Sequence, residues 1–332
     1  MIGMGSRGIY DLMRRTVFDD FKGALNSIKG TMHMMRHYKW RRTGVAPERP
    51  MVVFMVDRYF YSGGMADRFK GAVTAYAYCK QRGIDYRICY EYPFDLSDYL
   101  SPASYDWRLK EGEFTDCIMD SSLMYARAEH GRRLLRKKLG NRQLHFYGNY
   151  NNLELLNARG GTDYKWGELF RELFRPGQAL EDALEREKEK IGPDYVSAVF
   201  RFQNLLGDFK EYSFSRLEDE ARCEEIKKTC LEGIRSLQAR FPGVPVLVTS
   251  DSSTFLKLAS EIPGVHTISG KVVHMGSAEG EDFNTYLKSF VDFYMLAGSR
   301  NVFALGTEEM YCTQFPMYAA MVNDVPFERI TL

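Results

Sequence analysis

The chain of 332 residues is long enough for one large or two ordinary domains. With 45% hydrophobic and 27% charged residues it is globular in composition, which excludes a disordered or collagen-like chain. A net charge of +1 argues against a dedicated nucleic-acid binder, because phosphate contacts demand a basic excess.

That charge is unevenly spread. Residues 1–50 hold Arg7, Arg14, Arg15, Lys22, Lys29, Arg36, Lys39, Arg41, Arg42 and Arg49 against Asp11, Asp19, Asp20 and Glu48, a balance of +6 (10 − 4). Ile9, Leu12, Met13, Phe18, Phe21, Leu25 and Ile28 recur at helical spacing, so residues 1–48 read as a basic amphipathic arm. Such an arm either packs on the domain with its basic face in solvent or rests on an anionic membrane surface. No apolar run reaches the length of a membrane span, and the N-terminus lacks the apolar core of a signal peptide. Cys79, Cys89, Cys117, Cys223, Cys230 and Cys312 are scattered without a CxxC pair, as expected of reduced thiols in a cytoplasmic protein without a zinc site.

From residue 49 onward, strands and helices alternate. "MVVFMV" (51–56) predicts a strand, followed by a helix from Ala66 to Arg82 and a strand over 86–90. A third strand over 114–119, a helix over 122–139 and a fourth strand at "RQLHFYG" come next. Helices over 166–174 and 178–190 are split by "RPG". The second half predicts strands at 195–202, 244–249, "VHTIS" and 301–305, with helices over 214–240, 253–261, 283–297 and from 311 onward. This rhythm implies parallel sheets in two Rossmann-like units. Ile191-Gly192-Pro193 suits a boundary, giving domains at 49–191 and 192–332 behind the arm.

Ligands of open parallel sheets collect beyond the carboxyl ends of the strands. There the first strand leads to "GGMADR" (63–68), which lacks both the GxxxxGK[ST] of a P-loop and the GxGxxG of dinucleotide folds. The pair Gly63-Gly64 is either a plain turn or a backbone site for an anion at a helix start. Arg201, at the inner end of an apolar strand, needs an anionic partner, either a buried carboxylate or a ligand phosphate. Asp208 and Glu211 are candidate general bases or surface acids before a helix. Asp251 in "TSDSST" is either a helix cap or an acceptor for a guanine edge. Thr307 and Thr313 lie in a Gly/Thr loop, and His266 and His274 have the spacing of core histidines rather than of metal ligands.

In order and character these segments resemble the motifs of the GDP-fucose-dependent fucosyltransferases, a superfamily with a GT-B-like fold. "GGMADR" resembles its "GGLGNQ/GGLGDR" opening, and "FDLSDYLSP" a segment found downstream of it. "YVSAVFRFQN" resembles the "xVHxRRGD" strand, whose arginine binds the donor β-phosphate, here Arg201. "VLVTSDSSTFL" resembles "VxxATDD", whose acid contacts guanine, here Asp251 next to Ser250. "LGTEEMYCTQF" resembles the last motif and places Thr313, Gln314 and Phe315 near the phosphates. "EYSFSRLEDE" resembles the pattern that carries the catalytic base, here Glu211, with Asp208 as the second choice. The motif histidine is replaced near Val199 and Phe200, and the second arginine by Phe202.

The resemblance implies two Rossmann-like domains facing a cleft, with the acceptor on the first and the nucleotide sugar on the second. Gly63, Gly64, Met65 and Ala66 would then shape the donor cleft together with Arg201, Ser250, Asp251, Thr313, Gln314 and Phe315. It implies an inverting, metal-independent transfer of fucose from GDP-fucose, without a cofactor, to a glycan such as a bacterial surface polysaccharide. Another nucleotide-dependent transferase, such as a sulfotransferase, and a non-catalytic GDP- or glycan-binding relic are the alternatives.

Overall fold

The computed structural model describes residues 32, 35, 37–41, 47–126, 139–208, 216–273, 275, 280 and 282–332. Most of the arm, Glu211 and His274 therefore lie outside the described residues. In chain order the strands are β1 (Met51–Val56), β2 (Asp85–Tyr90), β3 (Leu100–Pro102), β4 (Ser121–Ala126), β5 (Gln143–Gly148), β6 (Phe174–Pro176), β7 (Val196–Phe200), β8 (Val246–Ser250), β9 (Val265–Thr267), β10 (Val302–Gly306) and β11 (Phe327–Thr331). The helices are α1 (Met65–Arg82), α2 (Leu153–Gly160), α3 (Trp166–Leu173), α4 (Gln178–Ile191), α5 (Glu220–Arg240), α6 (Ser253–Ser260), α7 (Phe283–Ala297) and α8 (Phe315–Val322).

The chain divides into two compact units. The first holds residues up to Ser62, Lys70–Cys89 and Arg108–Thr162, and the second holds Gly63–Phe69, Tyr90–Trp107 and everything from Asp163 onward. Residues 163–191, expected in the first domain, thus cluster with the second unit.

A four-stranded sheet in the order β2-β1-β5-β4 forms the first unit, with β5 parallel to both of its neighbours. β1 and β5 are buried along their whole length, which in β1 matches an uninterrupted apolar run, whereas β5 buries Gln143 and His145 as well. Gly71 of α1 is small because a Cβ there would meet the carbonyl oxygen of Gly148, at the end of β5, at 1.8 Å.

One segment departs from expectation. Residues 114–119 form no strand, and the predicted helix from 122 is instead strand β4, which pairs with β5 from Ser121↔Gln143 to Ala126↔Gly148. Local propensity in "SSLMYA" is weak, and a ladder of backbone hydrogen bonds to a fully buried strand outweighs it. Residues 127–138 of that predicted helix lie outside the described residues.

In the second unit, a five-stranded sheet runs in the order β11-β10-β7-β8-β9, with every pairing parallel. Parallel strands need crossovers, which α5, α6, α7 and α8 supply in turn. Val196, Ala198 and Phe200 of β7 pack with Val246, Val248, Ile226, Cys230, Ile234 and Leu237 in the core. Each such apolar side chain taken from water contributes about 2 kcal/mol before entropy is counted. Edge strand β11 was not anticipated, because "FERIT" is mixed in polarity and only its pairing with β10 makes it a strand. The predicted helix from 311 begins at Phe315, just inside which Pro316 suits the first turn. All six cysteines are free.

Candidate functional site

Register brings the first two site residues together. Phe200 of β7 pairs with Ser250 of β8 in a parallel ladder, so the next residue of each strand, Arg201 and Asp251, leaves the carboxyl end of the sheet side by side. Arg201 Nη1 lies 2.9 Å from Asp251 Oδ2. The same Oδ2 accepts the backbone N–H of Gln203 at 2.6 Å, and Oδ1 accepts that of Phe202 at 2.8 Å. Gln203 adopts a left-handed φ of 53°, which curls the chain so that both amides face the carboxylate. Burial pushes the Asp251 carboxyl above its ordinary value, against the pull of Arg201 and the two amides. Of the two partners expected for Arg201, the chain itself therefore supplies a carboxylate.

The cap of α6 is made by neighbours of Asp251. Ser252 Oγ accepts the N–H of Phe255 at 3.0 Å, and Ser250 Oγ accepts that of Ser252 at 3.1 Å. Asp208 joins them, because its Oδ2 accepts from Ser252 Oγ at 2.8 Å and from the Thr254 N–H at 2.8 Å. Asp208 thus ties the loop after β7 to the helix start after β8, where a carboxylate also meets the positive end of the helix dipole.

A third loop reaches the same place. The Tyr311 N–H donates to the Arg201 carbonyl at 3.3 Å, which sets 311–314 beside the end of β7. Thr313 Oγ1 accepts from the Phe315 N–H at 3.2 Å, Gln314 precedes the first residue of α8, and the Phe315 ring packs on Phe293 at 5.5 Å.

The glycine turn is organised differently. Gly63 has φ 77°, and a Cβ on it would lie 2.6 Å from Asp67 Oδ2. That oxygen accepts the Gly64 N–H at 3.2 Å, so the helix start is capped by its own carboxylate. Met65 and Ala66 are buried. The turn is then held by Arg68, the last residue of the same segment. At 2% exposure, Arg68 donates from Nε to the Gly63 carbonyl (3.0 Å), from Nη1 to the Tyr90 hydroxyl (2.6 Å) and the Tyr92 carbonyl (2.9 Å), and from Nη2 to the Met275 carbonyl (2.9 Å). One planar fork therefore joins three separate stretches of the second unit. Its sequence signal is its place as the last residue of "GGMADR", where the resembled "GGLGDR" opening also has an arginine.

Of the histidines, His266 bonds Glu187 at 2.7 Å on the flank of the second sheet. Burial pushes the Glu187 carboxyl up, but hydrogen bonds from Lys190 and His266 outweigh it and hold the group below its ordinary value. Among the described residues, no group of three or more His, Cys, Asp or Glu side chains gathers in a way that could hold a metal ion.

Arg201, Asp208, Ser250, Asp251 and the 313–315 segment thus share one end of the second sheet, whereas the contacts of Gly63 and Gly64 run to Asp67 and Arg68. The sequence matches no protein-family profile and no curated protein. Its fold is nevertheless found among solved structures. NodZ α-1,6-fucosyltransferase soaked with GDP-fucose is 14% identical, with 83% of this chain and 92% of that one covered at a TM-score of 0.52. Fucosyltransferase NodZ from Bradyrhizobium is 14% identical over 86% and 95% of the two chains, at 0.53. An arginine-to-lysine mutant of Arabidopsis thaliana FUT1 in complex with GDP is 13% identical over 89% and 72%, at 0.53. The chain has the GT-B-like fold of these fucosyltransferases.

Proposed function

We propose that the protein is a glycosyltransferase that moves fucose from GDP-fucose to a hydroxyl of a glycan acceptor with inversion and without a metal ion. The observation that carries this reading is the pair of half-buried Arg201 and buried Asp251 at the carboxyl end of β7, in a fold shared with proteins crystallised with GDP and GDP-fucose. Asp251 holds the Arg201 guanidinium in one orientation, and the exposed part of that guanidinium faces a diphosphate. The acceptor oxygen forms its bond to the anomeric carbon as the bond from that carbon to phosphate breaks. GDP leaves with the electron pair, Arg201 stabilises its growing charge in place of a divalent ion, and a carboxylate takes the acceptor proton. Glu211 is our choice for that carboxylate, because Asp208 is engaged at the start of α6.

A second reading, a protein that binds GDP but does not transfer, rests on Phe202. It stands where the resembled motif has a second arginine, and it is buried against Phe255 at a ring distance of 4.9 Å. Thermal-shift titration with GDP, UDP, CMP and adenosine 3′,5′-bisphosphate, followed by GDP-fucose turnover in EDTA, separates the readings. Stabilisation by GDP above the others, with turnover that Arg201→Ala abolishes, is the expected result. Stabilisation without turnover selects the second reading, and stabilisation by adenosine 3′,5′-bisphosphate alone points to sulfuryl transfer.

A further inference from the structure

The loop that Arg201 begins, after β7, turns back on itself. The Leu205 N–H donates to the Phe202 carbonyl at 3.0 Å and the Gly207 N–H to the Asn204 carbonyl at 2.9 Å. Gly207 takes a left-handed φ of 78°. Further along, the chain returns over the same loop. The Leu217 N–H donates to the Leu205 carbonyl at 3.1 Å, and both leucines pack against the core of the second sheet. That return lays Arg216 across Gly207. Its Cδ, Nε and Cζ lie 2.9, 3.0 and 3.4 Å from where a Cβ on Gly207 would stand, so a larger residue there would displace the guanidinium. Gly207 in turn precedes Asp208, whose carboxylate reaches Ser252 and Thr254 beside Asp251.

Arg216 is exposed, and among the described residues no carboxylate pairs with it and no hydrogen bond holds it. Other arginines near this end of the sheet are engaged. Arg201 faces Asp251, Arg222 lies between Glu225 and Glu309, and Arg329 of β11 donates from Nη2 to the Thr313 carbonyl at 3.0 Å. On the transferase reading, which this inference rests on, that leaves a charge to be met. The Arg201–Asp251 pair is neutral as a whole. A leaving diphosphate gains negative charge as its bond to the anomeric carbon breaks and the electron pair stays on its oxygen. Such a group is stabilised by a cation that no carboxylate cancels, and a guanidinium suits phosphate oxygens. We propose that Arg216 is this second cation and donates its N–H groups to the terminal phosphate of the nucleoside diphosphate. No proton is transferred in the contact.

The contact is specific to one phosphate, which makes it testable by ligand truncation. The full chain is titrated calorimetrically with GDP, GMP and guanosine, as wild type and as Arg216→Gln, Arg216→Lys and Arg329→Gln. Arg216→Gln should bind GDP about ten- to hundredfold more weakly and bind GMP and guanosine as the wild type does. Arg216→Lys should recover part of the loss, because it keeps the charge without the planar fork. The ligand-free melting curve should not move in either variant, since no partner within the chain is lost. Undiminished GDP binding by Arg216→Gln overturns the assignment alone, and so does a GDP-specific loss that appears in Arg329→Gln instead. A lowered ligand-free melt with all three ligands weakened alike marks a structural arginine and overturns it too. A wild type that binds none of the three ligands overturns the GDP-dependent reading as well.

Discussion

Arg201 Nη1 and Asp251 Oδ2 lie 2.9 Å apart, one residue beyond a pair that β7 and β8 hold in register. The carboxylate is nearly dry and also receives two backbone N–H groups, so it anchors the loop as well as the guanidinium. Removing its charge leaves a half-buried arginine uncompensated. Asp251→Asn should therefore lower stability by about 3 kcal/mol in urea unfolding and weaken stabilisation by GDP. If the carboxylate served guanine alone, nucleotide preference would change while the unfolding midpoint stayed put.

Asp208 and Glu211 are separated by a simpler comparison. Loss of the Asp208 contacts to Ser252 and Thr254 should cost about 1 kcal/mol in Asp208→Ala, as for other helix caps, with transfer reduced only modestly. Glu211→Gln should leave the melting curve alone and cut the transfer rate about 10²-fold or more, as for a general base. The opposite pattern would move the base to Asp208.

Arg68 binds the Gly63, Tyr90, Tyr92 and Met275 oxygens at once, which an ammonium group cannot do from one position. Arg68→Lys should raise amide hydrogen exchange in residues 63–64 and 90–92 together while β7 and β8 stay protected. In the transfer assay we expect a loss of about 10²-fold in kcat/KM, the usual scale when loops that position substrate are misplaced. Exchange confined to one segment would show that the three are not coupled through this side chain.

At Gly63 two penalties coincide, a positive φ and an oxygen 2.6 Å from any Cβ. Gly63→Ala should destabilise the fold by about 1–2 kcal/mol. Adding Asp67→Ala should recover only the contact part of that loss, because the backbone conformation still disfavours an L-residue. Full recovery in the double variant would mean that the left-handed turn costs nothing.

His145 supplies the pH dependence. Burial lowers its pKa to about 3, with Asp116 acting weakly in the other direction. Its ring is neutral in the fold, with Nε2 donating to Gln143 Oε1 at 3.1 Å and Nδ1 accepting from Tyr38. The unfolded chain binds a proton near the ordinary value of 6.5, so between 6.5 and about 3 it holds more protons than the folded one. Stability from this group is thus complete above pH 6.5 and is lost as pH falls through that window. Urea midpoints measured across it should fall less steeply in His145→Gln than in the wild type.

Local pattern alone was enough for α1, α4 and α7 and for buried strands such as β1 and β7, whereas α5, expected from 214, begins only at Glu220, where Asp219 caps it. α1, α4 and α7 fall within one or two residues of expectation, because their apolar spacing and their turn and cap residues agree. The order of strand-end loops in the second half was legible for the same reason, and with it the candidacy of Arg201, Asp208 and Asp251. What sequence could not decide was partnership. β4 became a strand, and β11 joined the sheet, only because neighbouring strands offered hydrogen bonds that no local preference encodes. Asp251 read as a helix cap or an acceptor for a guanine edge, and only register set it beside Arg201 as an ion-pair partner. Gly63 and Gly64 read as either a plain turn or an anion site, and only the fold shows that the Gly64 N–H is bonded to Asp67 and the Gly63 carbonyl to Arg68. Composition and periodicity act within a few residues of chain, whereas the partner of a buried charge comes from a distant segment and is chosen by the fold.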